Sequence, residues 1–168
     1  MKAALGWGGE VVFTSGASEG LALAIGRSKA PLAAVSVVEH EAVLRLAGDA
    51  ALLPVDGHGL VDPAACALPG LVAVQQVNNE TGAIQPVGRL AELAAGRGVP
   101  VHTDAVQAVG RIPVNFHELG VTTLAASAHK FHGPVGVGIL LVRTGFRLKS
   151  RLFGGGQQQG RRPGTVAV

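Results

Sequence analysis

The stretch SAHKFHGP, residues 127–134, places a lysine in an unusual setting. Lys130 comes at the end of an apolar run, and its neighbours are a serine and two histidines. An ordinary surface lysine stands among other charges on a helix face. Because an uncharged lysine amine attacks aldehydes, the sequence makes Lys130 a candidate nucleophile for covalent chemistry.

A second candidate is Asp104, which ends the apolar run VPVHTD. A carboxylate in that position costs free energy unless it meets a cation or a hydrogen-bond donor. The alternative is that Asp104 caps a helix predicted over 105–110. Gln107 lies one turn further along the chain, and it either faces the same space or is simply solvated.

Three further stretches carry candidates for binding an anion or a ring. In TSGASEG, Ala17 and Ser18 stand at a predicted helix start, where free backbone amides bind phosphate well. Asn79 in NNETG and His40 in VVEHEAVL are polar residues in similar places. The alternatives are a plain helix cap at Ser18, a simple turn at Asn79 and an ordinary helix start at His40.

Short β-rich runs alternate with amphipathic helical patterns along the chain, and several of the runs are apolar on both faces. This alternation predicts an α/β fold, a three-layer α-β-α sandwich with a mainly parallel sheet. The glycine-rich stretch after residue 145 is predicted to be a loop. The predicted strands are 10–14, 32–38, 51–55, 71–77, 99–104, 122–128 and 136–143, and the predicted helices are 18–28, 40–48, 62–68, 86–96, 105–110 and 115–119.

Nearly all the unusual polar residues follow the predicted strand ends. They fall in 15–20, 39–42, 78–82, 104–107 and 127–130. Ligands of open α/β sheets bind beyond the carboxyl ends of the strands. The sequence therefore predicts that one site gathers these residues.

Pyridoxal phosphate is a cofactor whose requirements the candidates meet together. It needs a lysine for its aldehyde, a carboxylate for its pyridine nitrogen and donors for its phosphate. Lys130 and Asp104 supply the first two. The other parts are supplied by Ser18, Ser127 and His129 for the phosphate, His40 for one face of the ring, and Asn79 and Gln107 for the side of its phenolic oxygen.

A metal centre is the main alternative chemistry. His129 and His132 lie three residues apart, and His102 shares a strand face with Asp104. The loop histidines are not held on one helix face, because Gly133-Pro134 follow at once. The pattern therefore does not favour a metal.

Composition and charge argue against several other classes of protein. Of the 168 residues, 48% are hydrophobic and 15% are charged, as is typical of a globular domain with a real core. The net charge of +3 is scattered and there is no tyrosine, which argues against a nucleic-acid surface. No apolar run reaches the roughly 18 residues of a membrane helix. The single cysteine, Cys66, cannot form an internal disulfide, so we expect a reducing, cytoplasmic location.

Six stretches are specific enough to indicate a family. They are FTSGASEG, EHEAVL, VNNETGAIQPV, HTDAVQAVGRIPV, SAHKFHGPVGVGILLVR and GGGQQQGRRPGT, and together they span nearly the whole chain. With them the chain resembles the large, cofactor-binding domain of the cysteine desulfurases. These enzymes are class V aminotransferase relatives of fold-type I, which use pyridoxal phosphate.

The resemblance implies a function. The reaction would remove sulfur from L-cysteine, giving L-alanine and an enzyme persulfide for sulfur transfer and iron–sulfur cluster assembly, with a sulfur-acceptor or scaffold protein as partner. Lys130 would be the Schiff-base lysine and would move protons at the substrate α-carbon, while the other candidates would keep the roles given above. Thr165, in the late glycine-rich stretch, would reach the phosphate of the partner subunit, which implies a homodimer.

The sequence also departs from the family pattern. Ser18 replaces a threonine, Ala128 a glycine and His132 a tyrosine, and Gln158 and Gln159 replace a glutamate and an arginine. We expect residues 1–168 to be a partial large domain without the family's N-terminal segment, C-terminal small domain and catalytic cysteine, since Cys66 matches no catalytic position. Two alternatives stay open: a class V aminotransferase or selenocysteine lyase, and a non-catalytic relic of the fold.

Overall fold

The computed structural model of the chain describes residues 3–65, 70–150 and 152–165. Its centre is a seven-stranded sheet in which the strands follow the order β1-β7-β6-β5-β4-β2-β3. The strands are β1 (Glu10–Thr14), β2 (Leu32–Ser36), β3 (Ala51–Leu53), β4 (Leu71–Ala73), β5 (Val101–Asp104), β6 (Thr123–Ser127) and β7 (Gly138–Val142).

The described residues also form four α-helices and four short 3₁₀ turns. The helices are α1 (Ala17–Ala24), α2 (Glu41–Leu44), α3 (Val87–Ala95) and α4 (Phe116–Leu119). The 3₁₀ turns are Ala3–Leu5, Pro63–Ala65, Ala128–Phe131 and Gln157–Gly160. No helix in the described ranges is long and apolar enough to cross a lipid bilayer.

The sheet is mainly parallel, as predicted. The five neighbouring strands from β6 to β3 are parallel, and β7 runs antiparallel between β6 and β1. It follows that β1 points in the same direction as the parallel strands. The carboxyl ends of β1, β6, β5, β4 and β2 therefore meet at one edge of the sheet, with only the start of β7 between the first two.

Apolar side chains cover both faces of the sheet, which confirms the three-layer architecture. In β4, Leu71 and Ala73 belong to the cluster formed with α1 and α2. Val72 points the other way and belongs to the cluster formed with α3 and α4, whose centre includes Phe116. A strand buried on both faces must be apolar throughout, which is why the sequence shows continuous apolar runs instead of alternation.

The prediction of a helix over 105–110 is wrong. The chain forms successive turns there, in which the amides of Ala108 and Val109 both donate to the carbonyl of Ala105. Gly110 has a positive φ of 80°, which a continuing right-handed helix excludes. Of the predicted helix 62–68 only a 3₁₀ turn is described, and Cys66 lies outside the described residues.

Candidate functional site

A cleft of about 620 Å³ opens at the edge where the carboxyl ends of the strands meet. Every residue predicted for the site lines this cleft except Thr165. These residues therefore lie at the edge of the sheet where the rule that ligands bind beyond the strand ends expects them. Their separate positions along the chain converge because each follows a strand of the same sheet.

The β1–α1 turn, residues 15–18, forms one wall of the cleft. Gly16 is the N-cap of α1 and no side chain caps this helix, so Ser18 is not the plain cap considered above. The backbone amides of Ala17 and Ser18 have no acceptor among the described residues, and both residues line the cleft. Such free amides at a helix start are suited to an anion.

The turn lies close against β7, and this contact depends on Gly138. A Cβ atom at Gly138 would lie 2.6 Å from the backbone of Gly16, which is too close for any side chain. The hydroxyl of Ser127 is also near this turn, 3.9 Å from the position that a Cβ atom of Gly16 would occupy. The absence of a side chain at Gly138 therefore lets the β1–α1 turn approach the end of β6.

The stretch that opened the sequence analysis follows β6. The Ser127 hydroxyl and Nδ1 of His129 are hydrogen bonded at 2.8 Å. Lys130 belongs to the 3₁₀ turn Ala128–Phe131, and it is exposed at the cleft. His132 ends this turn with a positive φ of 65° and does not line the cleft.

Asp104 is a buried carboxylate that lines the cleft at the end of β5. Its Oδ1 accepts a hydrogen bond from the Val106 amide at 2.9 Å, so it caps the turn that replaces the predicted helix. Burial raises the pKa of Asp104, while the Val106 hydrogen bond and the charges of His40 and Lys130 lower it. Burial is the largest of these effects, so the pKa of Asp104 lies above its ordinary value.

His40 both caps a helix and lines the cleft. Its Nδ1 accepts a hydrogen bond from the Ala42 amide at 3.0 Å at the start of α2. A neutral imidazole has one donor and one acceptor nitrogen, so the proton of the neutral ring is on Nε2. The two interpretations of His40 from the sequence are therefore compatible.

Asn79 and its neighbour divide two roles between them. Asn78 builds the turn, because its Oδ1 accepts from the amides of Glu80 and Thr81, both at 2.8 Å. Asn79 is exposed at the cleft and donates to Glu80 Oε1 at 2.5 Å. Gln107 also lines the cleft, and its Oε1 accepts from Arg111 at 2.6 Å, so its Nε2 donors point away from that contact.

Two residues that sequence reasoning missed connect the ends of β2 and β4. Glu39 is buried, and its Oε1 accepts from the Ser36 hydroxyl at 2.8 Å and from the Gln75 amide at 2.6 Å. Gln75 lines the cleft. Burial raises the pKa of Glu39 to about 8, with the charge of Asp104 adding to it and the two hydrogen bonds opposing it. A carboxylate at the end of the apolar run SVVE carried the same signal as Asp104.

Thr165 lies in the late loop, residues 152–165, and is exposed outside the cleft. This loop is anchored to β1 by Gln158, whose Oε1 accepts from the Phe13 amide at 2.5 Å and whose Nε2 donates to the Phe13 carbonyl at 3.0 Å. A peptide group needs one donor and one acceptor, and a carboxamide provides both. The contact therefore gives a physical reason for glutamine at position 158.

The other histidine considered for a metal is used in the core. His102 is fully buried, its Nδ1 is hydrogen bonded to the Thr123 hydroxyl at 2.8 Å, and burial lowers its pKa to about 3. Across the described ranges, no three His, Cys, Asp or Glu side chains are grouped so that they could hold a metal ion.

Comparison with known proteins identifies the family. The pattern of the class V aminotransferases matches residues 6–162. The chain belongs to this family. Among its relatives, a cysteine desulfurase IscS from Dictyoglomus turgidum is 41% identical over 95% of this chain and 45% of the relative.

Solved structures give the same result for the fold. The structure of a NifS-like protein from Rickettsia africae superposes with a TM-score of 0.89 at 27% identity, over 98% of this chain and 50% of that one. A structure described as SspA in complex with cysteine superposes with a TM-score of 0.86 at 29% identity, over 99% and 54% of the two chains. This member of the class V aminotransferase family thus spans about half the length of the relatives it matches.

Proposed function

We propose that this chain binds pyridoxal phosphate and provides the cofactor-binding part of a cysteine desulfurase. The observation that carries the proposal is one cleft that joins Lys130, the buried carboxylate of Asp104 and the open amides of the β1–α1 turn. Relatives named cysteine desulfurase favour this reaction over the aminotransferase and selenocysteine lyase alternatives. A similar structure described as a complex with cysteine supports an amino acid of that kind as substrate.

The donor set fits this cofactor on physical grounds. Free amides at Ala17 and Ser18, with the Ser127 hydroxyl beside them, suit a phosphate group. Asp104 is a buried carboxylate without a salt bridge among the described residues, so a protonated ring nitrogen would satisfy it. Each residue lines the same cleft as Lys130.

The chain's own residues would then act as follows. When bound, pyridoxal phosphate supplies an electron sink for negative charge at the substrate α-carbon. Lys130 Nζ would hold the aldehyde carbon covalently, with loss of water, and as a free amine it would move the proton at the substrate α-carbon. Asp104 would keep a proton on the pyridine nitrogen, and His40 would stack on the ring.

The remaining predicted residues of the cleft would orient and hold the cofactor and the substrate. His129, fixed by its hydrogen bond to Ser127, would bind the phosphate together with Ser18. Gln107 would donate through Nε2 toward the phenolic oxygen, since Oε1 is engaged by Arg111. Asn79, exposed at the cleft, would contact the ring oxygen side or the substrate.

The proposal for the whole reaction concerns an enzyme of the family's full length. These 168 residues cover 45% of one desulfurase relative, and we propose that they form part of the large domain. Thr165, exposed outside its own cleft, supports a homodimer in which it reaches the partner's phosphate. Sulfur transfer to an acceptor or scaffold protein, with a role in iron–sulfur cluster assembly, belongs to the same proposal. So does a cytoplasmic location, which the single cysteine supports.

Covalent labelling tests the proposal. The protein is incubated with pyridoxal phosphate, reduced with borohydride, digested and examined by mass spectrometry. We expect the label on Lys130, its loss in Lys130→Arg, and unchanged labelling in Lys149→Arg, which replaces another exposed lysine outside the cleft. Asp104→Asn should weaken cofactor affinity about tenfold or more, since a charge-assisted hydrogen bond is lost. Folded protein without label on Lys130 would refute the proposal.

A further inference from the structure

A continuous chain of polar contacts joins the late loop to the β1–α1 turn. The carbonyl of Thr165 accepts from Arg162 Nη1 at 3.3 Å. Arg162 Nε donates to Glu19 Oε1 at 2.9 Å, and the Ser15 amide donates to Glu19 Oε2 at 2.6 Å. The side chains of Arg162 and Glu19 are only 13% and 16% exposed, so water screens this ion pair weakly.

The position of Glu19 makes its charge important. Glu19 lines the cleft and follows directly after Ala17 and Ser18, whose free amides suit an anion. Although burial raises the pKa of Glu19, hydrogen bonds from Arg162 and Ser15 more than offset it and leave the pKa below its usual value. A carboxylate that stays ionised beside an anion site repels the anion unless a cation neutralises it. Arg162 is that cation.

We propose that Arg162 and Glu19 are a positioning pair for phosphate. Arg162 neutralises the Glu19 carboxylate and holds it against the Ser15 amide, which keeps the β1–α1 turn open to a phosphate group. Because Arg162 also contacts the Thr165 carbonyl, the pair couples phosphate binding in the cleft to the position of the late loop. The inference rests on the proposed function, since it names pyridoxal phosphate as the source of the phosphate.

The same loop carries a second ion pair that serves as a matched control. Nη1 of Arg161 lies 2.8 Å from Oε2 of Glu10, and the two side chains are 21% and 20% exposed. Glu10 is the first residue of β1, at the opposite end from the β1–α1 turn, and it does not line the cleft. Arg161 thus tethers the late loop to β1 without neutralising any charge at the turn.

Affinities for two ligands separate positioning from simple tethering. Binding of pyridoxal phosphate and of pyridoxal, which lacks the phosphate, is measured by absorbance for wild type, Arg162→Gln, Glu19→Gln, the double variant and Arg161→Gln. Arg162→Gln should weaken pyridoxal phosphate about tenfold and leave pyridoxal unchanged. Glu19→Gln should weaken it less, because no unpaired carboxylate remains. The double variant should bind more tightly than Arg162→Gln, and Arg161→Gln should match wild type.

The opposite results would overturn the inference. One such result is that Arg162→Gln loses as much affinity for pyridoxal as for pyridoxal phosphate. Another is that Arg161→Gln and Arg162→Gln lose equal affinity for pyridoxal phosphate. A third is that the double variant binds pyridoxal phosphate more weakly than Arg162→Gln. Arg162→Lys, which keeps the charge without the planar fork, should recover most of the affinity lost in Arg162→Gln. Thermal unfolding identifies any variant that fails to fold. If Arg162→Gln does not fold, Arg162→Lys replaces it in the comparison. We then expect a smaller loss of affinity, confined to pyridoxal phosphate.

Amide hydrogen exchange tests, without any ligand, whether Arg162 positions the β1–α1 turn. Arg162→Gln should speed exchange at residues 15–19, because the carboxylate that accepts from Ser15 is released. Arg161→Gln should leave this segment unchanged. If wild type binds neither ligand, the proposed function fails, whereas the positioning of the turn by Arg162 is still decided by this measurement. Unchanged exchange in Arg162→Gln would refute it.

Discussion

Replacing Glu39 by glutamine should remove a pH dependence from the stability of the fold. Burial raises the pKa of this carboxyl to about 8 from an ordinary value of 4.5. Between these values the folded protein keeps on Glu39 a proton that the unfolded chain has released, so the contribution of this group to the free energy of unfolding falls as pH rises, by about 1.4 kcal/mol per pH unit. The loss begins near pH 4.5 and is complete above about pH 8.

The variant should therefore match wild type in acid and exceed it near neutrality. A carboxamide cannot ionise, and its oxygen can still accept from the Ser36 hydroxyl and the Gln75 amide. Oε2 of Glu39, which is buried without a partner in the described part of the chain, becomes the amide nitrogen. From about pH 5.5 to about pH 7.5, we expect Glu39→Gln to gain about 3 kcal/mol over wild type.

Urea denaturation at a series of pH values measures this difference. The single tryptophan, Trp7, packs edge to face against Phe116, with 4.7 Å between the two ring centroids, and its fluorescence should report unfolding. Asp104, whose pKa is also raised, is present in both proteins, so the difference curve reports Glu39 together with its electrostatic coupling to Asp104. Glu118→Gln, at an exposed position of α4, is the control and should follow wild type at every pH. A difference that does not change with pH would show that Glu39 is ionised in the folded state and would refute the reasoning.

Two further predictions concern buried positions. Because burial lowers the pKa of His102 to about 3, the contribution of this imidazole to the free energy of unfolding should fall by about 1.4 kcal/mol per pH unit as the pH drops from about 6.5 towards 3, so the stability difference between His102→Gln and wild type should change over that range; a difference that does not change with pH would contradict it. Gly138→Ala should cost about 2 kcal/mol or more in thermal unfolding, since the new Cβ would lie 2.6 Å from the Gly16 backbone. Gly88→Ala in α3, where no atom of the described residues outside the adjacent helix backbone lies within 4 Å of the new Cβ, should instead stabilise by about 0.5–1 kcal/mol, and a loss at both glycines would refute the packing argument.

The elements of the fold could be predicted because their signals are local. Each of the seven predicted strands is present, and most are a few residues shorter than the apolar runs. After Ala73, for example, the amides of Val74 and Gln76 still donate to β5, although the regular ladder has ended. The helix predicted over 105–110 failed because the chain takes a positive φ at Gly110, which a right-handed helix excludes.

The contacts that tune the cleft could not be predicted, because they join distant parts of the chain. Arg162 and Glu19 lie 143 residues apart, and Gln158 and Phe13 lie 145 residues apart. No periodicity or spacing connects such positions. The sequence showed Glu39 beside His40, but its contact with the Gln75 amide depends on the pairing of β2 with β4.

The sequence by itself determined the fold class and the family resemblance, and nine of the ten residues that it predicted for the site line the cleft. It could do so because apolar runs specify strands, and strand ends in a parallel sheet are where a site forms. Only the tertiary structure decided the charge state of that site. Burial shifts the pKa of Glu39 upward, whereas hydrogen bonds from Arg162 and Ser15 shift the pKa of Glu19 downward, and both effects arise from residues brought together by folding.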